Sequence, residues 1–100
     1  MNMNTIEIDG KEYTLTLNRK SVKVAESVGL TPEALFNRPI NSIDLLWRAS
    51  FLPNHPEIND EKALELYEKL EKEHPEKVRE ILKSLTEQYS AFFKPLSDTD

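Results

Sequence analysis

Residues 42–52 read SIDLLWRASFL, the most apolar run in the chain and the one that carries its only tryptophan. At helical spacing Ile43, Leu46, Trp47 and Ser50 share one side and Leu45, Ala49 and Leu52 another, leaving Asp44 and Arg48 as a narrow polar edge. A helix that is apolar on nearly every side has to be covered on nearly every side. The run therefore predicts a central helix over 42–52, entered through Asn41 or Ser42 as cap and closed before Pro53 and Pro56. The earlier and later parts of the chain should pack against it.

Upstream, residues 5–17 predict a β-hairpin. Ile6 and Ile8 alternate with Thr5 and Glu7, while Tyr13, Leu15 and Leu17 alternate with Thr14 and Thr16. Asp9-Gly10 between the runs supplies the positive φ angles of a two-residue type I′ turn. That register sets Ile6 opposite Tyr13 and Ile8 opposite Lys11, and also Glu7 opposite Glu12, a mild repulsion. A wider loop pairing Ile8 with Tyr13 removes the repulsion and keeps the same apolar face, since it shifts the pairing by two. A lone hairpin is marginal in water, so this face must lie on helices.

Asn18 can cap a helix over 19–28, with Val24 and Val28 at i and i+4, Val22 and Ala25 alongside, and Gly29 suited to the left-handed position that ends it. Lys20 and Lys23 read as its solvated face. Thr31-Pro32-Glu33 starts a short helix over 32–37, which Pro39 limits because the residue before a proline is pushed out of the helical region. Leu35 and Phe36 should plug one end of the core. PNHPEIND is a stiff connector. Two helices follow, over 60–73 with Ala63, Leu66, Tyr67 and Leu70 on one stripe, and over 75–93 with Val78, Ile81, Leu82, Leu85, Tyr89 and Phe92. The fold class expected is α+β and mostly helical, a hairpin on a bundle of four to five helices. It forms one domain over residues 1–94, and 95–100 should be a disordered acidic tail.

One hundred residues allow one core. The apolar fraction of 38% and charged fraction of 31% describe a thin core with a well-solvated exterior. A net charge of −5 speaks against nucleic acid, which calls for Lys and Arg gathered on one face. With no cysteine there is neither a disulfide framework nor a thiolate metal site. The N-terminus lacks the basic opening and apolar core of a signal peptide, and no apolar run reaches the ~20 residues of a membrane helix.

Convergent chemical groups are missing from the sequence. His55 and His74 each precede a proline, without carboxylates or a second histidine at ligand spacing, and read as a loop residue and a helix-entry residue. Gly10 and Gly29 are absorbed by a turn and a cap, which leaves no phosphate loop. The carboxylates of 60–80 alternate with lysine and arginine as a solvated helix face does. No catalytic, cofactor or metal residue is therefore assigned. The aromatic residues pose the one open question: Trp47, Phe51, Tyr67, Tyr89, Phe92 and Phe93 either fill the core or form a groove for a partner helix or a second subunit. The core reading suits Trp47 better. For Tyr89, Phe92 and Phe93 both stand, since an adjacent Phe-Phe pair cannot point both rings into one helical seam.

The order of features resembles the tail assembly chaperones of long-tailed (siphovirus-type) bacteriophages and prophages. The matching pieces are the hairpin IEIDGKEYTLTL, the charged helix ending ESVGL, the TPEALF turn, the apolar LLWRASF helix, and the acidic LELYEKLEKE leading to a last helix that runs into FFKP. The resemblance implies a small, mostly helical, non-enzymatic protein of the infected host's cytoplasm. Such a protein coats the tape measure protein until the tail tube polymerises around it, and is absent from the finished virion. It further implies the tape measure protein as partner, the tail tube protein as a second one, and self-association or a multivalent array. The groove would lie between the central and last helices, using Trp47, Phe51, Tyr89 and Phe92. Many members also make a longer form by frameshifting, and Phe92-Phe93-Lys94 can be encoded by a slippery T-run and A-run, which the coding DNA decides. Rival readings are a structural tail or head-completion protein, which would remain in the virion, and a small phage regulator, which would bind DNA in a salt-sensitive way.

Overall fold

Asp9-Gly10 makes the tight turn: in the computed structural model, which describes residues 4–92, Asp9 has φ 54° and Gly10 φ 80°, the type I′ combination. Strands β1 (Asn4–Ile8) and β2 (Lys11–Leu15) pair antiparallel with Ile6 opposite Tyr13 and Ile8 opposite Lys11. Of the two registers open to the sequence, the two-residue turn is the one formed, and Glu7 does face Glu12. The side chains of Ile6, Ile8, Tyr13, Leu15 and Leu17 are all buried on one face. The second strand ends two residues short of the expected Leu17, whose N–H is taken by the side chain of Gln88 (2.9 Å) instead of a strand partner.

Helix α1 (Arg19–Ser27) opens with a reciprocal cap, in which Asn18 Oδ1 accepts from the Ser21 N–H (2.8 Å) and Ser21 Oγ from the Asn18 N–H (2.9 Å). It closes with the Gly29 N–H donating to Glu26 and the Leu30 N–H to Ala25, both at 3.1 Å, around Gly29 at φ 115°. That is the Schellman pattern, and it turns Leu30 fully into the core. The inward face is Ser21, Val22 and Ala25, while Val24 and Val28, expected inside, are 46% and 60% exposed. Residues two apart lie on opposite sides of a helix, so Val22 and Val24 cannot both face the core.

Helix α2 (Pro32–Asn37) is capped by Thr31 Oγ1, which accepts from the Ala34 N–H (3.0 Å). Six residues can turn only one edge inward. That edge is Ala34 with Leu35 beside it, and Phe36 points into solvent instead of plugging the core. Helix α3 (Pro39–Ala49) starts three residues before the expected position, with Pro39 in its first turn and Arg38 non-helical at φ −138°, ψ 66°. Asn41 and Ser42 therefore lie inside the helix and do not cap it. It ends at Ala49, so Phe51 sits in the following turn. Helices α4 (Asp60–Glu73) and α5 (Pro75–Ala91) meet at His74, non-helical at φ −143°, ψ 70° ahead of Pro75. The expected helix end at residue 93 and the tail over 95–100 lie outside the described residues.

Around α3 are packed α1, α2, α4 and α5, and α4 lies along α5 and carries β1. The hairpin is tied to the end of α3 by the Thr16 N–H, which donates to Ser50 O (3.1 Å). An edge-to-face series of rings runs through the same region, with Trp47–Phe51 at 5.5 Å and Phe51–Tyr13 at 5.9 Å between centroids. Trp47 Nε1 donates to Ala63 O (2.7 Å), pinning α4 to the central helix. The fold is α+β and mostly helical, and its core extends from the hairpin through α3 to Tyr89.

Candidate functional site

Three of the six aromatic candidates are core residues. Trp47 and Phe51 are completely buried, and Tyr89, 1% exposed, lines a surface groove. The Trp47 bond to Ala63 ties α3 to α4, and the Trp47 ring packs on Phe51 in the turn after α3, while the apolar groove lies between the start of α3 and the end of α5. Tyr67 is half-buried, edge-on to Trp47 with centroids 5.2 Å apart. Burial raises the pKa of its hydroxyl, and the neighbouring carboxylates of Glu71 and Asp44 add to the rise. Phe92 closes α5 and is partly exposed. Phe93 lies outside the described residues.

The large apolar surface is displaced to the α2–α3 corner. Phe36 is 85% exposed and Ile40 75% exposed, the two most exposed large hydrophobic residues among those described. They are four positions apart and are turned outward by two prolines that start consecutive helices only seven residues apart, Pro32 and Pro39. Beside them runs an apolar groove of about 390 Å³, with Pro32, Leu35, Pro39 and Ile43 on one wall and Thr86, Tyr89 and Ser90 of α5 on the other. Covering a Phe or Ile side chain is worth about 1.5–3 kcal/mol each, so this corner holds a few kcal/mol of unrealised burial. The groove's walls belong to α2, α3 and α5, whose own packing leaves it shaped.

Chemical groups are used elsewhere for structure. His55 Nε2 accepts the Thr14 N–H (2.9 Å), and its ring lies edge-on to Tyr13, so it clasps the connector onto the hairpin. Gln88 Oε1 accepts from the Leu17 N–H (2.9 Å) and from Thr16 Oγ1 (3.1 Å). Arg48 pairs with Asp60 at 2.8 Å, tying α3 to the start of α4. Among the described residues, no group of three or more His, Asp or Glu is placed to hold a metal ion. Sequence reasoning missed His55 and Gln88 as structural ties, and Phe36 and Ile40 as surface. For Gln88 the signal was present: it occupies a position of the α5 apolar stripe, where a polar residue has to find partners.

Fold and groove together define a small hairpin-and-helix domain with an apolar seat between three helices. The chain belongs to the family described as Domain of unknown function (DUF5055), whose profile matches residues 2–100. No curated protein and no solved structure matches it.

Proposed function

We propose that this protein is a non-catalytic tail assembly chaperone of a long-tailed bacteriophage or prophage, which holds the tape measure protein soluble until the tail tube assembles around it. The reading joins the resemblance of the hairpin, ESVGL, TPEALF and LLWRASF segments to the exposed pair Phe36 and Ile40 beside an apolar groove. That pair is the observation that carries it. A tape measure helix with a bare apolar stripe needs temporary cover, and a groove walled by α2, α3 and α5 takes such a stripe as one more packed helix. The net charge of −5 keeps the loaded complex soluble. Reversibility follows from modest area per copy, with many copies along one tape measure supplying the avidity. On this reading the protein acts in the host cytoplasm and is absent from the virion.

Co-expression with the neighbouring tape measure protein tests the proposal. The tape measure protein should move from the insoluble to the soluble fraction, and mass spectrometry of purified particles should find no copy of this chain. A tape measure protein that is no more soluble with this chain than without it refutes the chaperone reading. Recovery of the chain from virions supports the structural alternative.

A further inference from the structure

Charge is unevenly divided between the helices. α1 carries Arg19, Lys20 and Lys23 against Glu26 alone, whereas α4 carries six acids against three lysines. Both pack on α3, and the polar edge of α3, Asp44 and Arg48, runs between them: Arg48 borders the α1 valines in a groove of about 180 Å³ and reaches Asp60 of α4. One face of the molecule is thus basic along one margin and acidic along the other.

Apolar groups line the inner side of each margin. On α1 and its cap residue, Lys20, Val24 and Val28 recur at i, i+4 and i+8, so the exposed valines continue the lysine row. On α4, Leu64 and Tyr67 are half-buried and Glu68 and Glu71 follow on the same side. The two rows are of similar length, about 12 and 10 Å at 1.5 Å per residue. Aligned antiparallel, the lysines at the start of α1 meet the glutamates towards the end of α4, and the valines meet Leu64 and Tyr67.

From this we infer that a second copy of the chain docks on this face about a two-fold axis over the Asp44–Arg48 edge, α1 of each copy against α4 of the other. A surface with opposite charges on its two margins is self-complementary under a two-fold rotation, which makes each contact twice and closes the assembly at a dimer. The same charges oppose parallel stacking of like margins. The face is built from α1, α3 and α4, away from Phe36 and Ile40, so the inference is independent of the chaperone proposal and leaves that groove open in both copies.

Charge exchange tests it on the purified full chain. Sedimentation velocity over a concentration series should show a monomer–dimer equilibrium whose Kd rises about tenfold or more between low and high salt. The Lys20→Glu/Lys23→Glu and Glu68→Lys/Glu71→Lys variants should each be monomeric at concentrations where the wild type is dimeric, with unchanged circular dichroism. Mixed together, they should form a one-to-one heterodimer, because each supplies the charge that the other lacks. A wild type that stays monomeric at millimolar concentration and low salt overturns the inference. So does a dimer unaffected by either double substitution, or larger open polymers in place of a dimer. Two folded variants that stay monomeric on mixing count against it equally, and point to a different partner for this face.

Discussion

Replacing Gln88 with methionine keeps roughly the same volume and removes the acceptor that ties the hairpin's exit to α5. Two donors lose their partner, the buried Leu17 N–H at 2.9 Å and Thr16 Oγ1 at 3.1 Å. Leaving a buried backbone N–H unsatisfied costs about 1–3 kcal/mol, while the half-buried Thr16 hydroxyl recovers water and adds little. With no cavity created, the loss should be about 2 kcal/mol, or roughly 10 °C in Tm for a domain of this size. Urea unfolding followed by circular dichroism and by Trp47 fluorescence measures it, with the midpoint falling and the slope unchanged. Thr16→Val removes the hydroxyl's bond to Gln88 and keeps the Leu17 bond, and should lose about 0.5–1 kcal/mol. The double variant should lose less than the sum, because both changes remove the same contact. A Gln88→Met protein within about 0.5 kcal/mol of wild type would refute the claim that this side chain anchors the hairpin.

Further outcomes follow from single features of the fold. Gly29→Ala meets no atom within 4 Å, so its cost is that of φ 115° alone, about 1–3 kcal/mol by urea unfolding; a neutral result would mean that the α1 cap is not formed. Ser42 Oγ is buried and finds no hydrogen-bond partner among the described residues, so Ser42→Ala should be stabilising by about 1 kcal/mol, and a clear loss would reveal a partner. Lys69 hydrogen-bonds the Asp9 carboxylate and, by that bond and its charge, holds the Asp9 pKa below the ordinary value while its own is raised. A depressed folded-state pKa means that this contribution is complete above the unfolded value of about 3.9 and is lost as pH falls through the folded one. Lys69→Met should return the Asp9 titration, followed by carboxyl NMR shifts, to the ordinary range, and an unchanged titration would show that the pair does not persist in solution.

Local chemistry made the hairpin legible. Asp-Gly permits few turns, and alternation fixed the buried face whichever register formed. Caps and stops were as readable at Asn18, Thr31, Gly29 and Pro75. Pro39 does end the 32–37 helix as read, and it also begins the next one: Arg38 serves α2 and α3 just as His74 serves α4 and α5. Reading it only as a stop hid the first turn of α3 and, with it, the exposure of Ile40. The valines of α1 were assigned inward on hydrophobicity, although helical geometry with Val22 inside puts Val24 outside. Apolar residues alone could not separate core from site. Trp47, Phe51 and Tyr89 went to the core while Phe36, of the same type as Phe51, stayed outside, because two prolines set the corner that carries it. His55 and Gln88 were invisible as ties because their partners, the Thr14 and Leu17 N–H groups, are backbone atoms more than 40 residues away.

The central claim is that the α2–α3 corner seats an apolar helix, and NMR chemical-shift mapping with an apolar-striped helical peptide from the tape measure protein tests it most directly. The account predicts saturable shifts concentrated at Phe36, Ile40, Ile43 and Thr86, abolished by Phe36→Asp/Ile40→Asp in a protein that remains folded. Shifts confined to the acidic outer face of α4, or a double variant that binds as tightly as the wild type, would contradict it.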